Sequence, residues 1–300
     1  MGANHARVFA SLPDAELIGV VDSDTLTAAR VAGACDCRSM DGIEGLIEAG
    51  VEAVSVAVPA SMHADVAVEV IQRGIDLLVE KPLAEGLEQA QYIVESARSS
   101  GAVLMVGHVE RFNPAVMKLK ECVDQGLLGN IISMSARRVG PYSPRIRGAG
   151  IILDLATHDI NVMGHLCDGP VQRVFARAGS VLHTREDQAS LMLGFKSGAT
   201  GLIETNWLTP HRVRTLTVVG SEAIAEVDYI GVTLDIYDGA WHRRANVVTQ
   251  EPLRVELEHF VRCCRERATP LVCGEDGVHA VAVALAATVS AKTGTVQEME

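Results

Sequence analysis

The first hundred or so residues alternate between short apolar runs and helical patterns, and this alternation constrains the fold more than any other feature. The apolar runs are continuous, as in parallel strands that are buried on both faces. They predict strands at residues 16–22, 53–58, 76–79 and 103–106, with helices at 25–33, 61–73 and 87–100. Strand–helix repetition at this pace predicts an α/β domain with a doubly wound parallel sheet of the Rossmann type.

The beginning of the chain lacks most of the glycine-rich turn that such a domain uses to bind a dinucleotide. Gly2 fits the last glycine of the G-x-G-x-x-G fingerprint, which lets helix and strand pack closely, but the first two glycines and the strand before them are missing. That strand lies in the middle of the 3-2-1-4-5-6 order, and losing it would cost about as much as the whole 5–15 kcal/mol stability of an ordinary domain. We therefore predict that Met1 is an internal methionine and that the natural chain begins about ten residues upstream.

The pattern changes after about residue 108. A helix, a strand and a second helix are predicted at residues 112–125, 131–139 and 153–166. Six strands with hairpin-turn signals follow between residues 171 and 237, and two helices, at 253–267 and 276–293, close the chain. This order predicts an α+β domain with an open, mostly antiparallel sheet and helices on one face. We place the two domains at residues 1–120 and 121–300.

Charge and cysteine spacing exclude several classes of protein. The formal net charge of −12 argues against nucleic acid as a partner. No run of about 18 apolar residues predicts a membrane span, and the first residues lack the apolar core of a signal peptide. The seven cysteines form no C-x-x-C pair and have no zinc-ligand spacing. We therefore expect a cytoplasmic protein with reduced thiols and without a metal site.

Three residues mark the carboxyl edge of the first sheet as the candidate cofactor site. Asp22 ends a strand, where its carboxylate would accept hydrogen bonds from a ribose hydroxyl and repel a 2′-phosphate, which favours NAD over NADP. Pro59 and His63 follow the next strand, at the edge where ligands bind. Alternatively, Asp22 caps the following turn, and His63 caps or packs against the start of its helix, which is the reading we favour for His63 alone.

Lys81 stands in Glu80-Lys81-Pro82 at the end of a buried strand, where a lysine is costly unless a charged or hydroxylated group meets it. Asp154 and His158 are four residues apart and therefore share one helix face. If a lysine, an aspartate and a histidine lie close together in the fold, they can transfer a proton to or from a hydroxyl group. The alternatives are a surface lysine before a turn-forming proline and a satisfied core histidine paired with a helical aspartate.

Four arginines follow one another between a strand and a glycine-rich loop, at positions Arg137, Arg138, Arg145 and Arg147. In an acidic protein such a local basic patch would bind a phosphate or carboxylate of the substrate. Solvated surface arginines are the alternative interpretation.

Four motifs, in this order and spread over essentially the whole chain, resemble the Gfo/Idh/MocA oxidoreductases: residues 56–63 (VAVPASMH), 80–82 (EKP), 107–114 (GHVERFNP) and the D-x-x-x-H at 154–158. The resemblance implies a Rossmann domain, followed by a domain whose open sheet pairs subunits into a homodimer or homotetramer. It assigns Lys81, Asp154 and His158 to the catalytic positions, with His158 also at the substrate. It also implies that Glu80 and Lys81 line the cofactor.

The expected activity is hydride transfer between a sugar carbinol carbon and a nicotinamide. Within the family, residues 135–141, 154–159 and 204–207 look like those of the UDP-N-acetylglucosamine 3-dehydrogenases. The expected substrate is therefore a nucleotide sugar that reacts at its 3-position. A dehydrogenase of inositol or free sugars is the alternative enzyme, and a non-catalytic nucleotide-binding sensor is the alternative from another class.

Overall fold

The computed structural model describes residues 1–142, 149–167 and 169–299. The chain forms two compact units, of which the first comprises Met1–Val109 and Glu251–Val278 and the second Glu110–Gln250 and His279–Glu300. No helix among the described residues is long and apolar enough to cross a membrane.

The first unit contains the predicted parallel sheet. Its helices are α1 (Gly2–Phe9), α2 (Thr25–Cys35), α3 (Gly42–Glu48), α4 (His63–Gln72), α5 (Leu87–Ser100) and α8 (Pro252–Glu266). Its strands are β1 (Gly19–Val20), β2 (Arg38–Ser39), β3 (Ala53–Val56), β4 (Asp76–Glu80) and β5 (Leu104–Gly107). β3, β4 and β5 form one parallel sheet, and β1 and β2 form a separate parallel pair. The prediction of a segment upstream of Met1 stays a prediction.

Local signals explain several helix boundaries in this unit. The carboxylate of Asp24 accepts the N–H of Leu26 at 3.2 Å and thereby caps the start of α2. Gly101 ends α5 with φ of +72°, a conformation that glycine adopts without steric cost. The predicted helix at 61–73 begins with a short 3₁₀ turn, Ala60–Met62, that precedes α4. The middle strand, β4, is buried along its whole length, as its apolar run predicts.

Helix α8 belongs to the first unit, although the predicted boundary at residue 120 places it in the second domain. Leu253, Leu257 and Phe260 form its buried apolar stripe. Flanking arginines pair with acids far away in the chain, as in Arg265–Asp14 at 2.8 Å. The unit is discontinuous because these contacts join residues more than 200 positions apart, which a contiguous division of the sequence does not capture.

The second unit is built on a nine-stranded sheet in the order β13-β12-β11-β10-β6-β9-β8-β7-β14. Its strands are β6 (Ile131–Pro141), β7 (Val171–Gly179), β8 (Gln188–Phe195), β9 (Thr200–Asn206), β10 (Leu208–Gly220), β11 (Ile224–Asp228), β12 (Thr233–Tyr237), β13 (His242–Arg244) and β14 (Gln297–Glu298). Neighbouring strands run antiparallel except β6 and β9, which are parallel. The prediction of an open, mostly antiparallel sheet is therefore confirmed.

Helices α6 (Pro114–Asp124), α7 (Thr157–Leu166) and the part of α9 (Gly274–Thr293) that follows Val278 complete the second unit. Residues alternate between the two faces of the sheet, so that Leu191 and Leu193 are buried while Met192 between them is exposed.

The sequence analysis missed α3, β2, β13 and β14 because short elements carry too few residues to show a period.

Two helical glycines give opposite predictions for the same substitution. A Cβ at Gly33 in α2 would meet no atom within 4 Å, whereas a Cβ at Gly277 in α9 would lie 2.9 Å from Val106 Cγ2. We expect Gly33→Ala to stabilise the protein by about 0.4–1 kcal/mol, because it removes unfolded-state entropy at no steric cost. Gly277→Ala overpacks the core and should cost about 1–3 kcal/mol. Urea unfolding of both variants checks the pair, and equal signs would contradict it.

Candidate active site

Asp22 is exposed, two residues beyond the end of β1. Its Oδ1 accepts the backbone N–H of Asp24 at 2.9 Å, which is the turn-capping role that the sequence left open. A carboxylate offers about four acceptor sites, so this bond leaves capacity for a ribose hydroxyl. The position and charge of Asp22 therefore fit the adenosine side of a dinucleotide.

Gly2 is the first residue of α1, and its surroundings do not require a glycine. A Cβ at this position would lie 3.8 Å from the Cβ of Ala57, which is ordinary van der Waals contact. The close approach predicted at Gly2 concerned a strand upstream of Met1, so that role of Gly2 stays a prediction. The first turn of α1 carries no acidic side chain, so its N–H groups and helix dipole are compatible with a diphosphate.

The turn that carries Lys81 follows β4 directly. Lys81 is half-buried, and the peptide bond between Lys81 and Pro82 is cis. The backbone N–H of Lys81 donates to Oε2 of Glu80 at 3.1 Å. On the other side of the turn, His63 Nδ1 lies 2.9 Å from the carbonyl oxygen of Pro82, and His63 Nε2 lies 3.0 Å from that of Val58.

Glu80 and His63 use their polar atoms inside the protein. Only 6% of the surface of Glu80 and 1% of that of His63 is exposed. The second carboxylate oxygen of Glu80 contacts Nε2 of His5 at 2.9 Å. Direct contact of these two side chains with a cofactor, as predicted, does not fit this geometry, because their polar atoms are already occupied. The packing role favoured for His63 fits instead.

His5 is a residue that the sequence analysis missed. It is buried in α1, with 2% of its surface exposed, and its Nδ1 lies 2.7 Å from Oγ of Ser55 in β3. The signal that could have found it was a histidine on the apolar face of a helix, since such a side chain needs polar partners. No sequence rule names those partners, because they come from strands 50 and 75 positions away.

In the second unit, Asp154 lies in a turn of π-helix, Ile152–Ala156, that leads into α7. His158 is the second residue of α7, and both side chains are half-buried. The prediction of a helix that carries both residues is confirmed, but its first turn is wider than an α-helical one. π-turns occur frequently at functional sites because they change the direction of side chains.

Arg138 is not available to a substrate. Its guanidinium is 2% exposed and forms two bonds with Asp159, from Nε at 2.8 Å and from Nη2 at 2.9 Å. Its Nη1 donates to Glu110 at 2.7 Å, and its plane lies over the ring of Tyr229 at 5.0 Å. Burial alone would lower the pKa of Arg138, but the carboxylates of Asp159 and Glu110 raise that pKa well above its ordinary value. Arg138 is therefore a buried structural cation.

Arg137 lies on the opposite face of β6, because neighbouring residues of a strand alternate in direction. It is half-exposed and pairs with Glu204 of β9 at 3.1 Å. Arg145 and Arg147 lie outside the described residues. The structure therefore does not bring Arg137 and Arg138 together as a phosphate-binding patch, and the substrate role predicted for Arg138 is wrong.

These neighbouring arginines make a matched pair for mutation. Arg138→Met leaves the carboxylates of Glu110 and Asp159 buried without their cation and should lower the free energy of unfolding by about 3–5 kcal/mol. Arg137→Met removes only a surface ion pair and should change it by about 0–1 kcal/mol. Denaturant unfolding at one fixed protein concentration checks both values. A loss at Arg138 as small as that at Arg137 would contradict the structural assignment.

Lys81 belongs to the first unit, and Asp154 and His158 belong to the second. The structure describes each within its own unit, so their joint action stays a prediction. Within the described part of the chain, no group of three or more His, Cys, Asp or Glu side chains is arranged to hold a metal ion.

Comparison with known proteins identifies the class. Residues 1–108 match the oxidoreductase family with an NAD-binding Rossmann fold, and residues 116–226 match the GFO/IDH/MocA C-terminal domain. Both halves of the chain thus match the two domains of one family in the right order. The chain belongs to the Gfo/Idh/MocA family of oxidoreductases.

Two curated relatives align over nearly the whole chain. UDP-N-acetylglucosamine 3-dehydrogenase of Acidithiobacillus ferrooxidans is 26% identical over 295 residues, which cover 95% of this chain and 92% of the relative. scyllo-Inositol 2-dehydrogenase (NAD(+)) of Bacillus subtilis is 29% identical over 315 residues, covering 98% and 92%. A solved structure of the Acidithiobacillus enzyme superposes with a TM-score of 0.90 at 27% identity, covering 96% of this chain and 93% of that chain.

Proposed function

We propose that this chain catalyses NAD-dependent hydride transfer between a sugar carbinol carbon and a nicotinamide, with the 3-position of UDP-N-acetylglucosamine as the reacting carbon. The observation that carries the proposal is the similarity to UDP-N-acetylglucosamine 3-dehydrogenase in both sequence and structure, over more than nine-tenths of either chain. Lys81, Asp154 and His158 stand at the positions that the family motifs assign to catalysis, and this agreement supports it.

The first unit supplies the groups that would bind the cofactor. The exposed carboxylate of Asp22 suits a ribose hydroxyl and repels a 2′-phosphate, which favours NAD over NADP. Pro59 and Lys81 follow β3 and β4 at the carboxyl edge of the parallel sheet, the edge at which such folds bind ligands. The Bacillus relative carries NAD(+) in its name, which supports the same choice. When bound, the nicotinamide accepts or returns the hydride.

The residues of this chain would manage the proton. Oxidation of an alcohol removes the hydroxyl proton as the hydride departs, and His158 is the best base because imidazole titrates near neutral pH. Asp154, on the preceding π-turn, would orient the imidazole or share its proton. Lys81 would donate a hydrogen bond to the substrate hydroxyl and stabilise the negative charge that develops on it.

We expect His158→Ala and Lys81→Met each to lower kcat by about 10²- to 10⁴-fold, because each removes a group that acts on the reacting hydroxyl. The affinity for NAD should stay within about twofold, since binding energy comes mostly from contacts remote from the hydroxyl. Steady-state kinetics and NAD titration measure the two effects. His242→Ala and Lys118→Met, at exposed or half-exposed side chains of the same types, serve as matched controls. Wild-type turnover in His158→Ala and Lys81→Met would refute the assignment.

A dehydrogenase of inositol or free sugars is the second candidate, and one observation favours it. The scyllo-inositol enzyme is slightly more identical to this chain than the UDP-sugar enzyme, 29% against 26%. The location of Arg138 in the core also removes one predicted contact with a diphosphate.

The absorbance of NADH separates these substrates. We expect turnover with UDP-N-acetylglucosamine and a kcat/KM at least tenfold higher than with scyllo-inositol, myo-inositol or N-acetylglucosamine, because a nucleotide diphosphate adds remote binding energy. A reversed preference would select the inositol enzyme. Binding of NAD and UDP-sugar without turnover by wild-type protein would instead indicate the non-catalytic sensor.

We also propose that the open face of the nine-stranded sheet pairs two copies of this chain, in a homodimer or homotetramer. Phe175, Met192 and Leu202 are cross-strand neighbours on β7, β8 and β9. Met192 is 51% exposed and Leu202 is 44% exposed, so this apolar stripe faces outward in the single chain. Contiguous apolar surface of this kind is typical of an interface.

A further inference from the structure

We propose that Ser55, His5 and Glu80 form a positioning network that fixes the backbone at Lys81. The inference rests on the catalytic role proposed above for Lys81 and assigns a task to three residues that do not themselves need to touch substrate or cofactor. They come from β3, α1 and β4, and all lie in the first unit.

The contacts form one continuous chain. The Oγ of Ser55 lies 2.7 Å from Nδ1 of His5, and Nε2 of His5 lies 2.9 Å from Oε1 of Glu80. Oε2 of Glu80 then accepts the N–H of Lys81 at 3.1 Å. A neutral His5 satisfies every contact if Ser55 donates its hydroxyl proton to Nδ1 and the Nε2–H donates to Glu80. The two oxygens of the carboxylate therefore have separate tasks, one toward His5 and one toward the backbone of Lys81.

The carboxylate of Glu80 has little freedom to turn away. The residue is 6% exposed, and it pairs in register with Gly107 on the neighbouring strand β5. A Cβ at Gly107 would lie 3.1 Å from Cα and 3.2 Å from Cδ of Glu80, so the side chain packs directly against the glycine backbone. A buried carboxylate also needs donors at both oxygens, because an unsatisfied charge costs several kcal/mol. Packing and desolvation together hold Glu80 where it meets Lys81.

The Pro82 side of the turn is held by His63, which is not part of this network. His63 contacts the carbonyl oxygens of Pro82 and Val58 through its two ring nitrogens. Both partners are acceptors, so a neutral imidazole donates to one of the two carbonyl oxygens and a protonated imidazole donates to both. Side chains thus contact the backbone of this turn at the Lys81 N–H and at the Pro82 carbonyl oxygen. The Cα of Lys81 between these groups therefore has a defined place.

Two substitutions of His5 separate the two halves of the network. In asparagine the side-chain amide lies near the position of Nδ1, whereas in glutamine it lies near the position of Nε2. His5→Asn therefore keeps a partner for Ser55 but leaves Glu80 without its donor, and His5→Gln keeps the donor to Glu80. We expect His5→Asn to lower kcat about tenfold, less than the roughly hundredfold effect of a 1 Å misplacement of a catalytic group. His5→Gln should recover most of the loss.

Hydrogen exchange tests the network without relying on activity. Because Pro82 has no N–H, Lys81 carries the only backbone amide of the Lys81–Pro82 pair. We expect its exchange, measured by NMR, to be faster in His5→Asn than in wild type and close to wild type in His5→Gln. Ser55→Ala provides a milder variant if His5→Asn does not fold. Ser96→Ala removes a half-buried serine whose hydroxyl donates to the backbone carbonyl of Tyr92 within α5, and it is the matched control.

A double-mutant cycle with Lys81→Met decides whether the network acts through the lysine. If it does, His5→Asn lowers kcat in the wild-type background and has no further effect in Lys81→Met, while the affinity for NAD stays unchanged. Additive losses, unchanged exchange of the Lys81 amide, or wild-type kcat in His5→Asn would each overturn the inference. If Lys81→Met alone keeps full turnover, the proposed role of Lys81 fails and the inference fails with it. If only Lys81→Met loses turnover, the proposed function stands and only the inference falls.

Discussion

The buried contact of Arg138 with Asp159 and Glu110 is the interaction on which the second unit depends most. Three ionised groups leave water together, and only their mutual hydrogen bonds offset the loss of hydration. Arg214, 3.6 Å from Glu110, adds a fourth charge and brings the formal total to zero. The contact ties the start of α7 to β6. Asp159 follows His158 directly, so the same bond fixes the backbone that carries the proposed base.

The first unit also contains a buried polar cluster, but it is built from different groups. Glu80 is buried at the end of β4, and its two carboxylate oxygens contact the imidazole of His5 and the backbone N–H of Lys81. In both units a buried polar cluster lies one residue from a proposed catalytic side chain. Lys81 and His158, which follow or precede these clusters directly, are half-buried and are the residues proposed to act on a substrate.

Much of the fold could be predicted because its signals are local. The bounds of α5 agree with the predicted helix at 87–100 to the residue, since a helix period between turn residues is contained in the segment itself. Lys81, Asp154 and His158 were found in the same way, from short motifs. Arg137 and Arg138 show the limit of prediction from local signals. They are the same residue type at neighbouring positions, yet Arg137 is half-exposed and Arg138 is 2% exposed.

The amino-acid sequence by itself determined the order of the longer elements, because periodicity is a property of neighbouring positions, and its motifs determined the class of protein and the candidate catalytic residues through their resemblance to the family. Only the tertiary structure decided which polar residues support the site from within. It placed Arg138 in the core, drew α8 into the first unit and joined His5 to Glu80. These outcomes depend on burial and on partners far away in the chain. A charged side chain such as Arg138 becomes structural when it is buried with oppositely charged partners, and no local pattern in the sequence reports that burial.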